Sequence, residues 1–598
     1  MQEVSDQIKK SLLKAVSVVA RIEAPAIEKI HLEHPTDASH GDYSSNIAMV
    51  LFKEMKNNAA SDFKKPRNIL KTPHDLALAI MSELQKDKVI SESVEKIEAV
   101  KPGFINFYLQ KSYFLKILSE IMSERDKFGS AKRTSKRKIL VEYSSPNIAK
   151  QFSVGHLRST IIGQAIYNLY KFIGCEVVGD NHLGDWGTQF GMIIAAVLEK
   201  GLDIKDLTLN DLEKLYVDFN KKLETDPDLR KKATDAFVSL EKGDIKCREI
   251  WKAAVDTSLA EFDKFYKLLG VKIDYAYGES IYEKMMPGIV KLLIDERIAQ
   301  KSEGAYVIKY NDMPPAMLIK SDGGTTYLTR DLATIKFRRE SPHLHSDIYV
   351  YEVGAEQKLH FRQVFRTAEM LGLGKESDYV HIAHGFLRLP EGKMSTRKGN
   401  TIKLRELLEK SIIKAEKILL DKSGTEKDAK RAVFSDSAKK IGIGAVKYNE
   451  LKHSPSTDYI FNWEEALNMN GDSGSYLQYT AVRIRNLLMK AGAKDNMTFN
   501  FVQVFSELSL TNEELDIVKI LSKFREKVEE AAFRFSPNLI CSYLFLLAQK
   551  YNTFYNSTSI VPMRDTSYRM FRLNLSFSVM QVITNGLSIL GIEIPESM

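Results

Sequence analysis

Residues 139–169 read ILVEYSSPNIAKQFSVGHLRSTIIGQAIYNL, and this stretch decides the fold. Its first five residues, Ile139 to Tyr143, form a short, mostly apolar run of strand length. A polar stretch follows from Ser144 to Gly155. Apolar residues then recur at Leu157, Ile161, Ile162, Ala165, Ile166 and Leu169, spacings that put them on one helical face. Gly174 ends that helix, and Val177-Val178 begins another strand. Strand, loop, helix and strand in this order make a βαβ unit, hence a parallel sheet. A second such unit lies downstream. Asp347 to Val353 (DIYVYEV) reads as a strand, Gly354 opens a loop, Leu359 to Leu371 is helical, and Tyr379 to Ala383 is the next strand. Between the units, at about 195–270, runs a charged and mainly helical insert. The expected core is therefore a split, doubly wound α/β domain.

Outward from this core, the eight residues Ala131 to Lys138 (AKRTSKRK) include five Lys or Arg and read as a solvated linker. Before it, residues 1–130 suffice for one mixed α+β domain. They carry helical patterns near 5–20 and 73–87, a turn at His40-Gly41-Asp42, and an alternating strand from Lys101 to Tyr108. From Lys403 onward strand patterns nearly vanish. The stripe Leu477, Ala481, Ile484, Leu488 is helical, and the chain to Met598 continues in that style. The expected division is 1–130, a basic linker at 131–138, an α/β domain at 139–402 and a helical domain at 403–598.

Composition excludes several classes. With 598 residues, 44% hydrophobic and 27% charged, the chain can fill several cores, so disorder is not its main state. No run approaches the roughly 18 apolar residues of a membrane-spanning helix. The net charge of +8 permits a polyanionic partner without requiring one. Cys175, Cys247 and Cys541 are too few and too scattered for a disulfide framework or a zinc site, so no protein-bound metal is expected. The amino terminus has neither an apolar leader nor an Arg-rich, acid-poor transit pattern, and a reducing, cytoplasmic setting is the expectation.

Two loops carry the candidate chemistry. Open α/β sheets bind ligands at the carboxyl ends of their strands, beside helix amino termini. The segment from Ser144 through Pro146, Asn147, Ile148, Ala149, Lys150, Gln151, Phe152, Ser153, Val154 and Gly155 to His156 sits at such a place. Backbone N–H groups at the helix start and the helix dipole favour phosphate. Gly155 lets a flat ring approach the backbone, and Lys150 and His156 can supply positive or hydrogen-bonding groups. A plain turn and cap fits the same residues. The second loop, Gly392 to Asn400 (GKMSTRKGN), holds Lys393, Arg397 and Lys398 between glycines. It suits closure over a triphosphate, and equally a solvated basic turn.

Together the two loops resemble the nucleotide-binding motifs of the class I aminoacyl-tRNA synthetases, in the form found in the arginyl-tRNA synthetases. The resemblance extends to His40–Met49, Leu183–Gln189 (LGDWGTQ), Gly278-Glu279-Ser280, Tyr327–Asp331 (YLTRD), Gly471–Thr480 (GDSGSYLQYT) and Leu590–Glu593. It covers nearly the whole chain in the family's order. It implies a Rossmann-type catalytic core, an N-terminal domain that touches the tRNA elbow and a helical anticodon-binding domain. The implied reaction joins L-arginine to its tRNA by way of arginyl-adenylate, using ATP with magnesium and requiring the tRNA for activation. Neither DNA nor a membrane is an expected partner. Catalytic roles fall to Lys150, His156, Lys393, Ser395 and Arg397. ATP contacts fall to Ser153, Val154, Gly155, His156, His384, Gly385, Met394 and Lys398. Two departures from the family's pattern stand out: Ser153 replaces the first motif's usual first His, and Thr396 replaces the second motif's usual second Lys. Lys150, six residues before His156, is the expected substitute cation.

A guanidinium offers five donors and a permanent charge, so a selective pocket needs carboxylates in fork geometry. The resemblance puts Glu279 and Asp331 there, with Tyr327 beside them and Ser145, Asn147 and Gln357 on the rest of the amino acid. A surface acid in a turn and a helix cap are the plain alternatives for the two carboxylates. For tRNA, Arg483 and Arg485 are candidate phosphate contacts, Tyr555 a stacking surface, and Asn106 and Tyr108 a face toward the elbow. Core packing is the alternative for Tyr555 and for the Asn106–Tyr108 strand. Two competing functions remain in view. Another class I synthetase would leave the paired acids without their cation. A protein that only binds tRNA would show decayed phosphate loops.

Overall fold

The computed structural model describes residues 4–20, 30–57, 71–130, 137–223, 225–226, 228–321, 323–388, 403–423, 434–492 and 501–598. It resolves into two compact units, one of Met1–Arg125, Lys490–Lys523 and Thr553–Val579, the other of Asp126–Met489, Phe524–Asn552 and Met580–Met598.

The first unit holds a four-stranded antiparallel sheet in the order Leu32–Glu33, Tyr43–Ser45, Phe104–Leu109, Val94–Val100. The sequence reading located the strand after Lys101-Pro102-Gly103 but not its partner at Val94–Val100, most of whose residues are half-buried and show no alternation. The helices Val4–Ala20 and Pro73–Leu84 fall where periodicity puts them; the second opens on a Thr72–Asp75 capping box. Later helices join this unit by specific bonds. Lys519 on Asn512–Ser522 pairs with buried Asp42 at 2.8 Å, and Lys111 donates to the Ser506 carbonyl at 2.7 Å.

The second unit is built on a five-stranded, all-parallel sheet. Its order is Tyr379–His384, Ile348–Gly354, Lys138–Glu142, Glu176–Leu183, Tyr275–Gly278. The chain runs outward one way from its first strand, then returns to the other side. The switch point therefore lies between Lys138–Glu142 and Ile348–Gly354, the place where such sheets bind ligands. The helix Val154–Phe172 crosses from the first strand to the second, as the periodicity requires. The insert is helical throughout its long elements: Thr188–Lys200, Leu209–Lys222, Asp228–Lys242 and Ile245–Leu269. A small antiparallel sheet of Ala299–Ser302, Ala305–Ile308 and Ala316–Ile319 was not anticipated. Each of its strands spans four residues, too short for a period to show. Its inward residues join a core of Leu140, Val178, Leu328, Leu332, Tyr349 and Phe365.

Two buried arginines lock this unit through ion pairs. Arg338 is fully buried on the helix Tyr327–Glu340; its guanidinium meets Glu142 at 2.5 Å and Asp180 at 2.7 Å, joining the first two strands. Arg158 on the crossover helix lies 3.0 Å from Glu450 of Asp436–Leu451, both almost wholly buried. It also donates to the carbonyls of Ser454 and Pro455.

Candidate active site

The loop after the first strand is held from every side. Ser144 N donates to Ser159 Oγ, Ser145 N to Asn181 Oδ1, and Ala149 N to Ser258 Oγ, each at 3.0 Å. Ile148 N bonds the Gly184 carbonyl, and Gly184 N returns a bond to Pro146. Ser144, Ser145 and Ala149 all have positive φ (75°, 43° and 60°), a conformation costly for residues with a Cβ. Three such residues in six, fixed by bonds from other elements, mark a loop shaped for something besides stability. Phe152 anchors its far end among Phe262, Phe265 and Tyr266 of the insert.

The crossover helix then begins with an unusual cap. Ser153 N donates to His156 Nδ1 at 3.2 Å, and Ser153 Oγ lies 3.0 Å from the same nitrogen. Because Nδ1 accepts from the backbone, Nε2 carries the imidazole proton. Burial first, and the nearby charge of Lys150 second, push His156 down to about 4. His156 is thus a neutral hydrogen-bond donor at physiological pH. Of the two options read from the sequence, a positive or a hydrogen-bonding group, this environment favours the second. Ser153, where a first motif histidine was expected, is the cap that fixes the remaining one. Gly155 is exposed, and a Cβ there would meet only Ser153 Oγ at 3.4 Å. Lys150 is half-buried, with its ammonium 5.0 Å from the Tyr216 ring centre.

At the other side of the switch point, His384 ends the fifth strand and its Nδ1 is 2.9 Å from buried Glu352. Burial opposes protonation of His384, but the Glu352 carboxylate outweighs it and the net shift is upward. Gly385 has no room for a side chain, because a Cβ would fall 2.5 Å from Asp458 Oδ1. Lys393, Met394, Ser395, Thr396, Arg397 and Lys398 lie outside the described residues, as do residues 131–136 of the basic linker.

The candidate arginine residues sit on four segments that follow strands of this unit. Ser145 and Asn147 follow the first strand; Ser145 Oγ is buried and makes no hydrogen bond among the described residues. Asn147 is exposed and bridges to Gly184. Glu279 begins a short helix directly after the Tyr275–Gly278 strand. That helix start is fixed by Asp185, which accepts from Ser280 N at 2.9 Å and Ser280 Oγ at 2.7 Å. Asp185 belongs to the LGDWG turn, whose carbonyl at Asp185 takes a bond from Trp251 of the insert. Tyr327 and Asp331 lie four apart on one helix, with Tyr327 73% exposed. Gln357 is exposed and precedes the helix Lys358–Met370.

Glu279 and Asp331 do come together. Burial pushes Glu279 up to about 7; Arg330 pulls it down, and Asp331 and then Asp185 push it up. Arg330 Nη1 meets Glu279 Oε2 at 3.0 Å, and His360 Nε2 meets Asp331 Oδ2 at 2.5 Å. Sequence reading missed both partners. Arg330 stood inside the YLTRD run, yet nothing local says that its partner lies 51 residues upstream. His182 is a further neutral imidazole beneath the site, pushed to about 4 by burial and then by Arg338, and stacked 5.5 Å from Tyr282.

The tRNA candidates fare differently. Asn106 is buried and accepts from Ser44 within its sheet, the core alternative. Tyr108 is half-buried, its hydroxyl donating to the Ser39 carbonyl and Glu98. Arg483 bonds Asn552 and Tyr479, and Arg485 bonds the Pro595 carbonyl. Tyr555 is half-buried on Asn538–Ser557. None of the three cysteines joins a disulfide. Among the described residues no helix is long and apolar enough to cross a membrane.

A parallel sheet with its ligand loop at the switch point, a histidine at the crossover helix and a helical C-terminal part are the features of a class I aminoacyl-tRNA synthetase. The family described as "tRNA synthetases class I (R), catalytic domain" matches residues 117–463. The "DALR anticodon binding domain" matches 477–598, and the "Arginyl tRNA synthetase N terminal domain" matches 2–109. An arginine–tRNA ligase of Clostridium botulinum (strain Langeland) is 38% identical over 554 residues, 91% of this chain and 94% of that one. One from Halothermothrix orenii is 37% identical, covering 95% of each. Among solved structures, arginyl-tRNA synthetase from Plasmodium falciparum shares the fold over 100% of both chains with a TM-score of 0.81 at 23% identity. That from Thermus thermophilus covers 99% of this chain and 100% of its own at 0.79 and 22%. The chain belongs to the arginine–tRNA ligase family.

Proposed function

We infer that this chain is an arginine–tRNA ligase. A carboxylate oxygen of L-arginine attacks the α-phosphorus of ATP, pyrophosphate leaves, and arginyl-adenylate remains. The ribose hydroxyl at the 3′ end of the arginine tRNA then attacks the adenylate's carbonyl carbon and AMP leaves. The observation that carries the arginine reading is the meeting of Glu279 and Asp331, two carboxylates from distant segments, at the strand ends beside the 144–156 loop.

In this reading Glu279 and Asp331 take the guanidinium, Tyr327 lies along it, and Ser145, Asn147 and Gln357 hold the amino-acid end. The unsatisfied Ser145 hydroxyl supports this, since buried polar groups otherwise find partners. Neutral His156 donates from Nε2 to a ribose or phosphate oxygen, Ser153 holds that ring, and His384 and Gly385 border the nucleotide. Lys150 supplies the charge that Thr396 does not, acting with Lys393, Ser395, Arg397 and Lys398. Magnesium enters on the ATP phosphates. Activation waits for tRNA. Domains 1–130, 139–402 and 403–598 serve the tRNA elbow, catalysis and the anticodon, with Tyr108, Arg483, Arg485 and Tyr555 as contacts; the setting is cytoplasmic. Charging of purified tRNA with each of the twenty amino acids tests the whole: arginine alone should be attached, and attachment of another amino acid, or of none, refutes it.

A further inference from the structure

The arginine-binding acids are not bare. Arg330 gives Glu279 its one described hydrogen bond, Nη1 to Oε2 at 3.0 Å, and Oε1 accepts none among the described residues. The same guanidinium stands 3.9 Å from Glu283 through Nη2 and 5.7 Å from the Tyr327 ring centre. The chain's own guanidinium therefore touches two residues assigned to the substrate's. Both partners of the pair are mostly buried, with 16% and 17% of their side chains exposed.

We propose that Arg330 is a positioning residue for arginine recognition: it grips Glu279 by one oxygen, keeps that carboxylate charged and aimed, and leaves the other oxygen for the substrate. This rests on the assignment of Glu279 to the guanidinium. The groups facing Glu279 explain why it needs help. Asp331 on the neighbouring helix and Asp185 on the LGDWG turn repel its charge, and burial penalises it. Arg330 is the cation paired with it, while Glu283, in the next turn, holds the other arm of Arg330. Even with that pairing Glu279 stands at about 7, so a site without Arg330 would hold it protonated at neutral pH. A protonated acid attracts a guanidinium far less than a carboxylate does.

Three variants of the full chain test this by tRNA charging at pH 7 and pH 9, reading KM for L-arginine and for ATP. Arg330→Gln keeps the size and a donor but not the charge. It should raise the arginine KM about fivefold at pH 7, since a rise of one pKa unit from about 7 cuts the charged share of Glu279 from about a half to about a tenth, and the rise should shrink at pH 9 while the ATP KM holds. Arg330→Lys, which restores charge, should stay close to the parent. Glu279→Gln should raise the arginine KM at both pH values alike. If Glu279→Gln raises KM but Arg330→Gln leaves it unchanged, Arg330 has no such role. A lowered KM in Arg330→Gln would mean that it competes with substrate, and an equal rise at both pH values that it is merely structural; either overturns the proposal. An unchanged KM in Glu279→Gln would remove Glu279 from the pocket and this inference with it. Melting curves on all three variants, with Arg330→Lys as the conservative one, separate these effects from misfolding.

Discussion

In the function we propose, the end of the Lys138–Glu142 strand receives phosphate and the end of Tyr275–Gly278 a guanidinium. The phosphate side uses backbone bonds, a serine cap and a histidine held neutral, with one lysine close enough to depress it. The guanidinium side uses carboxylates, and each has a nitrogen partner from the chain itself, Arg330 on Glu279 and His360 on Asp331. The difference follows from what each ligand brings. Triphosphate arrives with several charges, so dipoles and neutral donors serve its binding and a fixed cation counts when charge develops. Arginine brings one buried positive charge, which needs ionised acids; acids crowded together stay ionised only beside cations.

The largest expected effect breaks the phosphate side. Lys150→Ala should lower kcat by about two to three orders of magnitude, the usual cost of one such stabilising group, with little change in the arginine KM. Adding Thr396→Lys should recover part of the rate, and pre-steady-state charging reads both. A Lys150→Ala enzyme within about threefold of the parent would leave the second loop as the source of charge.

The matching cut on the other side is Asp331→Asn. It removes one charged acceptor, about 1.5–3 kcal/mol, and should raise the arginine KM roughly tenfold to a hundredfold with ATP binding unchanged. Equal changes in both constants would erase the division between the two regions.

Beneath the acids, His182 is held neutral with its value lowered from 6.5 to about 4. The unfolded chain binds a proton there first, so this residue's share of stability is complete above pH 6.5 and declines as pH falls toward 4. His182→Phe keeps the stack on Tyr282 and loses the titration. Between pH 7 and pH 5 the variant should lose less stability than the parent by roughly 2 kcal/mol. Denaturant unfolding at the two pH values measures it, and parallel curves would place the imidazole in water.

The smallest effect sharpens the join between loop and acids. A Cβ on Gly184 would fall 2.5 Å from Asn147 Oδ1. Gly184→Ala should therefore shift the Asn147 side chain and raise the arginine KM several-fold, about 1 kcal/mol, without lowering the melting temperature much.

The sequence carried most of the sheet. Its strands are apolar runs flanked by helical stripes, and βαβ logic turns those into order and direction. It was silent on Ala299–Ile319 because four-residue strands are shorter than any period that declares them. It placed Asn512–Ser522 with the C-terminal helices by position, whereas Lys519 and Asp42 join that helix to the first unit. An amphipathic stripe reports that a face is buried, never against what. The site was legible where residues cluster in one loop, as from Ser145 to His156. It was illegible where charge pairs span distance, as with Arg330 and Glu279 or His360 and Asp331. The lowered value of His156 likewise comes from burial, which no local pattern reveals.

The pairing of Arg158 with Glu450 bears on where this chain can be cut. The crossover helix belongs to the α/β core, yet its buried guanidinium finds its counter-charge and two carbonyl acceptors in residues 450–455. A fragment ended at residue 402 would keep Arg158 and lose all three partners. Stranding a buried charge in this way costs roughly 3–5 kcal/mol, a large share of what an ordinary domain has to spare. The catalytic half is thus not a separable module at residue 402, since Tyr459–Ile460 also pairs as a strand with Leu387–Arg388. Its smallest autonomous piece must extend through the helix Asp436–Leu451 and the turn that follows.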